Sequence, residues 1–360
     1  MPLDAASFLP FEPRSNPDTD RARARHLDWA VDHGLVRGAQ ALRRYGAWLL
    51  TDLAAWAFPD ATGADLDLVT DAVCLGFSLG DRLDPPLGRR PDRVAWLCTE
   101  LAAVPYRAPG TRPMLDLPVT RAYADVWRRG QAGMSPAWRE RAAGNLTRFF
   151  RSFVQEAQYR HLNAPLDEDA YLALRRQAAG TAPAFDLIER AGPAGSGEVP
   201  AGVYWSREVQ TLTRCAGDVV LLCDDLHAAE RDEACGDPYN LVLIRRRDLG
   251  CSRAEATAQV TALVADRVAL FLEVSERLPE LCDRWRAGPR GTAAAERYVD
   301  GLRCWMAAVR RWGTVSARYA DLTAADPGGV TGRAAGSAAP GPVPVPGPAP
   351  VPARAPAAQA

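Results

Sequence analysis

Apolar residues recur at helical spacing through almost the whole chain, and a chain so patterned can bury those faces only by packing helix on helix. The stretches 42–56, 66–79, 138–159, 209–222, 256–278 and 298–312 carry the pattern, while the alternation that marks a half-buried strand is scarce. The expectation is an all-α protein. Breakers fall between the runs, at Pro85-Pro86, at 108–113, at 192–200 and at 288–291. One run, Val219-Val220-Leu221-Leu222-Cys223, has no polar face, which predicts a helix buried on every side at the centre of a bundle.

With 360 residues, 48% of them hydrophobic, the chain can bury a large core. The character changes near residue 326. Nine prolines with Gly and Ala between them occupy 326–360, where no aromatic residue remains, so a Pro/Ala/Gly-rich disordered tail is expected there. The reading is therefore an N-terminal extension over 1–8, a helical domain over 9–325 and the tail over 326–360.

Composition excludes several functions. A net charge of −1 gives no basic excess to neutralise a phosphate backbone or an anionic membrane, so no nucleic-acid or membrane partner is expected. No apolar run reaches the ~18 residues needed to cross a bilayer, and residues 1–13 lack a charged-then-apolar leader pattern, which makes the cytoplasm the expected location. Eight cysteines without C-x-x-C spacing read as reduced core residues. All 43 basic residues are arginine, a bias that makes any single arginine match weak.

Two acidic clusters each close a long apolar helical stretch: Gly80-Asp81-Arg82-Leu83-Asp84, and Asp224-Asp225 running through Arg231 and Asp232 to Glu233. Hard divalent cations take carboxylate oxygens, and Mg²⁺ usually combines one or two protein carboxylates with substrate phosphates. Two facing acidic helix ends would supply such ligands to a diphosphate. On the second helix Asp224, Ala228 and Asp232 stand at i, i+4 and i+8, on one face and spanning roughly 12 Å. Without further context the first cluster also reads as a helix C-terminus leading into a turn, and the second as a solvated acidic helix end.

At these residues the chain resembles the bacterial class I terpene synthases, whose motifs read D-D-x-x-D and N-D-x-x-S-x-x-x-E. Gly80 stands at the first aspartate position and Ala228 at the serine position. The resemblance implies a class I terpene synthase helical bundle in which Asp81, Asp84, Asp224, Ala228 and Asp232 occupy the metal-binding positions for Mg²⁺, three ions in all. Arg231 matches the basic residue that contacts the diphosphate. Within Tyr171-Leu172-Ala173-Leu174-Arg175-Arg176 and Gly180, the resemblance assigns the diphosphate sensor to Arg176, with Arg175 the alternative, and a helix kink to Gly180. Trp305, Trp312 and Arg318-Tyr319 match the terminal signature. Guanidinium forks suit capture of a diphosphate leaving group, and Phe77, Phe185, Trp305 and Trp312 fall at positions that shape an aromatic pocket for carbocations.

The activity implied is a lyase reaction: a linear prenyl diphosphate, farnesyl first and geranyl or geranylgeranyl behind it, ionises and cyclises to a terpene hydrocarbon or alcohol. Gly80 and Ala228 keep a second reading open, a non-catalytic relative that binds a prenyl diphosphate or a protein partner. An all-α prenyl-chain elongating enzyme shares the metal logic but carries two D-D-x-x-D motifs, which the second cluster and Arg318-Tyr319 do not fit. A homodimer is one option for the assembly.

Overall fold

A computed structural model describes residues 9–84, 86–108, 110–192 and 197–319. The expected extension over 1–8 and the tail over 326–360 lie outside the described residues. Fifteen α-helices and no strand occur among those described. The first group is α1 (Thr19–Asp32), α2 (Ala39–Ala47), α3 (Leu50–Ala57), α4 (Gly63–Leu83), α5 (Pro91–Ala103), α6 (Pro118–Gly130) and α7 (Pro136–Leu162). Then come α8 (Glu168–Ala178), α9 (Thr181–Arg190), α10 (Ala201–Tyr204), α11 (Arg207–Ala234), α12 (Leu241–Leu249), α13 (Arg253–Ser275), α14 (Leu278–Arg284) and α15 (Gly288–Val315).

The run without a polar face sits where its composition demands. Every residue from Cys215 to Cys223 on α11 is buried, because α8, α9, α12, α13 and α15 pack around it. Ser206 starts this helix by accepting a hydrogen bond from the Val209 amide at 3.2 Å, and Ser135 starts α7 through the Trp138 amide at 3.1 Å, each cap contributing about 1 kcal/mol. Helix α4 lies against α1, α3, α6 and α9, and α7 against α5, α8 and α9. The helices α4, α6, α7, α8, α9, α11 and α15 thereby enclose one cavity, open where α4 and α11 end.

Two of the expected runs are divided, and one expected joint is helical. The stretch 42–56 breaks at Leu49, which takes a left-handed φ of 55°. The break leaves the Trp48 carbonyl free of a helical partner, and it accepts from Trp312 Nε1 at 2.6 Å and Ser316 Oγ at 2.8 Å. Tertiary docking therefore overrides an apolar pattern that would continue the helix. The stretch 256–278 ends at Ser275, so Leu278 opens α14. Residues 288–291 form the first turn of α15 instead of a joint, since a proline there loses no helical hydrogen bond. No helix is long and apolar enough to cross a membrane among the described residues. All eight cysteines are free; six are buried as expected, while Cys251 is half-buried and Cys235 exposed.

Candidate active site

Helix α4 presents its last turns to the cavity mouth. Gly80 and Asp84, one turn apart, line the cavity, whereas Asp81 turns to the side and accepts from Arg318 Nη2 at 2.8 Å through Oδ1. Its Oδ2 is buried without a hydrogen-bond partner. Asp84 stops the helix in an extended conformation, as a residue ahead of proline must. Loss of hydration pushes the Asp84 carboxyl up to about 7, against the pull of Arg160 and Arg231.

The α11 cluster is held tightly. Asp224 accepts from Arg175 Nη2 and from the Tyr319 hydroxyl, both at 2.6 Å. Burial opposes its charge, but Arg175, Arg318 and the Tyr319 hydroxyl outweigh it and hold the carboxyl below the usual range. Asp225 faces inward and anchors the scaffold, accepting from the Tyr171 hydroxyl at 2.6 Å and the Leu241 amide at 3.0 Å. Asn240, the N-cap of α12, donates to Asp232 at 3.0 Å and to the Asp225 carbonyl at 2.8 Å. Ala228, between Asp224 and Asp232 on the same face, is buried and offers no donor atom.

Arg318 completes the mouth. Its guanidinium lies over the rings of Phe77 at 5.4 Å, Tyr319 at 5.5 Å and Trp312 at 6.0 Å, a stack that favours a desolvated cation. Nε and Nη1 are buried without hydrogen-bond partners. Buried polar groups are rarely left so; Nη1 keeps only a 3.7 Å ion pair with Asp224 Oδ1, so both donors can turn to an anionic ligand in the cavity.

Of the residues singled out in the sequence, Phe77, Asp84, Gly180, Asp224, Arg231, Asp232, Trp305 and Arg318 line the cavity. Gly180 takes φ +68° at the break between α8 and α9, with Phe149 packed 3.1 Å from where a Cβ would stand. Tyr319 reaches the site through its bond to Asp224. Phe185 and Trp312 lie behind the wall: Phe185 meets Trp305 edge-on at 6.1 Å, and Trp312 is fully buried. Arg176 turns away onto Asp218, which it grips through two hydrogen bonds of 2.7 and 2.9 Å. The neighbouring Arg175 is the one that lines the cavity.

Other cavity residues drew no functional reading from the sequence. Arg160, 7% exposed, gathers Asp237 at 2.7 Å, Glu156 at 3.2 Å and Asp84 at 3.6 Å. The i, i+4 spacing of Glu156 and Arg160 was a visible signal; the loop aspartate that joins them was not. Phe149, Phe150 and Phe153 supply an aromatic wall from α7, hidden in the sequence among residues of ordinary core periodicity.

Among the described residues no three His, Cys, Asp or Glu side chains converge closely enough to hold a metal ion alone. The carboxylates are drawn onto arginines instead. The set of Asp84, Asp224 and Asp232 at the mouth is nevertheless all oxygen, which suits a hard cation that completes its shell with phosphate oxygens.

Comparison with known proteins agrees with this geometry. Residues 71–269 match the family described as terpene synthase family 2, C-terminal metal binding. The chain belongs to the bacterial class I terpene synthase family. Pentalenene synthase of Streptomyces avermitilis is 37% identical over 322 residues, 89% of this synthase and 94% of that one. The R-linalool synthase of Streptomyces clavuligerus is 35% identical, covering 86% and 92% of the two chains. The crystal structure of germacradien-4-ol synthase from Streptomyces citricolor matches with a TM-score of 0.75 at 35% identity, over 85% of this synthase and 97% of that chain. Membership implies use of a divalent metal by this synthase.

Proposed function

We propose that the synthase ionises farnesyl diphosphate with Mg²⁺ and cyclises the allylic cation to a sesquiterpene. The observation that carries this is one cavity with two unlike ends: acidic helix termini and four guanidiniums, Arg160, Arg175, Arg231 and Arg318, at the mouth, and an apolar, aromatic wall below. Relatives support the chain length. The 7-epi-alpha-eudesmol synthase of Streptomyces viridochromogenes, 32% identical, is named for cyclising (2E,6E)-farnesyl diphosphate.

Mg²⁺, when bound, neutralises the diphosphate charge so that the group can leave. Asp84, Asp224 and Asp232 are the residues that would hold it. In this reading Arg175 is the diphosphate sensor, because it stands at the cavity while Arg176 is spent on Asp218. Arg175 and the Tyr319 hydroxyl give up Asp224 to the incoming ligands, and Arg318 turns its unspent donors to diphosphate oxygens. The C–O bond breaks with both electrons leaving on the diphosphate, and the cation remains in the cavity. The faces of Phe149, Phe153 and Trp305 stabilise it without offering a nucleophile, and the left-handed break at Gly180 lines the cavity beside Phe149. Closure of the mouth keeps water out until the cation loses a proton or captures a water molecule. The cytoplasm as the place of action belongs to the same reading.

Incubation of the purified protein with C10, C15 and C20 prenyl diphosphates, with volatile products analysed, tests this. The expected result is a cyclised C15 product that requires Mg²⁺ and disappears with chelator. Equal product without metal, or turnover of C10 or C20 alone, would contradict it.

A further inference from the structure

Glycine inside a helix costs about 1 kcal/mol relative to alanine, and α4 carries Gly76 and Gly80 one turn apart within its 21 residues. Neither takes a positive φ. Neither is demanded by close packing, since a Cβ built on either meets no heavy atom within 4 Å. Gly301 of α15 shows the contrast, because a Cβ there would stand 2.4 Å from Ile188. What remains at both α4 glycines is empty space, and that space is the cavity.

The two positions differ in depth. Gly80 shares the rim with Asp84. Gly76 lies one helical turn further in, next to Phe77, whose ring is engaged by Arg318 and by Trp312, 5.0 Å away. The neighbours of Gly76 along the same helix at the wall, Ala72 and Val73, are small as well. Below the charged mouth, then, one side of the cavity is bare α4 backbone, where almost any other residue would project a side chain into the prenyl chain's volume.

We propose that Gly76 is a specificity-determining residue: its missing side chain sets the width of the cavity and so the longest prenyl chain the synthase folds and cyclises. This rests on the prenyl diphosphate reading above. A phenylalanine side chain is larger than one isoprene unit, so filling the position lowers the chain-length ceiling by about one unit.

The test is the series Gly76→Ala, Gly76→Leu and Gly76→Phe in the full chain. The readouts are kcat/KM for C10, C15 and C20 diphosphates, the product spectrum, the Tm, and the Kd of the non-ionising thiolodiphosphate analogues of the three lengths. The expected result is a loss graded with side-chain size and steepest for the longest chain accepted, roughly tenfold or more in the ratio of that chain to the next shorter one. The Tm of Gly76→Ala should match or exceed the parent's, as for alanine in an open helical position. An active parent with losses equal across chain lengths, in turnover and in analogue binding alike, overturns the role of Gly76 alone. A clear drop in Tm for Gly76→Ala overturns it too, since the Cβ would then not be entering open space. A parent that turns over none of the three overturns the functional reading first, and this proposal with it.

Discussion

Arg175 and Arg176 differ by one position and by everything that follows from 100° of helix rotation. Arg175 shares a stripe with the buried Tyr171 and Ala178 and reaches Asp224, while Arg176 pairs with Asp218 alongside Arg267 on α13. The motif match favoured Arg176 and kept Arg175 as the alternative; the stripe in which Arg175 follows Tyr171 by four and precedes Ala178 by three was the cue that separates them. Arg175→Ala should lower kcat at least about 100-fold, the scale of removing one preorganised donor from developing charge. Arg176→Ala should leave kcat within about threefold and cost about 1 kcal/mol in thermal unfolding, because its partly exposed pair is screened. The reverse ranking in steady-state kinetics would return the sensor role to Arg176. Gly80 and Ala228 make a second case at this scale, since both departures were legible in the sequence and both sites lack a donor atom in the structure. Gly80→Asp and Ala228→Ser should each lower the Mg²⁺ concentration for half-maximal turnover, the double variant most, since each restores an oxygen to a hard cation. Calorimetry that finds no gain in Mg²⁺ affinity, with or without inorganic diphosphate, would count against it.

At the scale of elements, helix existence was readable because periodicity reports burial, and helix ends were not, because contacts distant in sequence decide them. The division at Leu49 depends on Trp312 and Ser316, more than 260 positions away, and no local signal at Leu49 announces it. Helix α9 shows another property invisible to pattern. Its inner face sets Asp186 and Glu189 around Arg141, with Asn145 donating to Asp186 at 2.7 Å. Burial pushes Asp186 up to about 6 and Glu189 up to about 7, despite Arg141. A carboxyl raised in the fold binds its proton more tightly there than in the unfolded chain, so its contribution to stability is complete at low pH and is lost as pH rises toward the folded value. Asp186→Asn removes that loss. The Tm of the variant minus that of the parent should therefore be more positive at pH 7.5 than at pH 4.5. A difference independent of pH would show that Asp186 stays ionised in the fold.

Across the whole molecule, the site depends on both ends of the helical region. Asp81, on α4, is held by Arg318, and Asp224, on α11, by Tyr319, while Trp48 anchors the segment that carries both. The composition of 326–360, rich in Pro, Gly and Ala, gives it little apolar surface to set against the entropy of ordering. Deleting 326–360 is expected to leave Tm and kcat unchanged, whereas a chain ending at Val315 should lose turnover at least about 100-fold. Loss of activity in the longer truncation would assign the tail a part in the site. The pinning of the mouth by residues 318 and 319 also fixes an order in time. Chains are made from the N-terminus and their early parts fold first, so α4 and α11 take shape while the arginine and tyrosine that will face them are still unmade. The catalytic mouth is thus assembled only after the helices that it joins, once Arg318 and Tyr319 have been made and can reach Asp81 and Asp224.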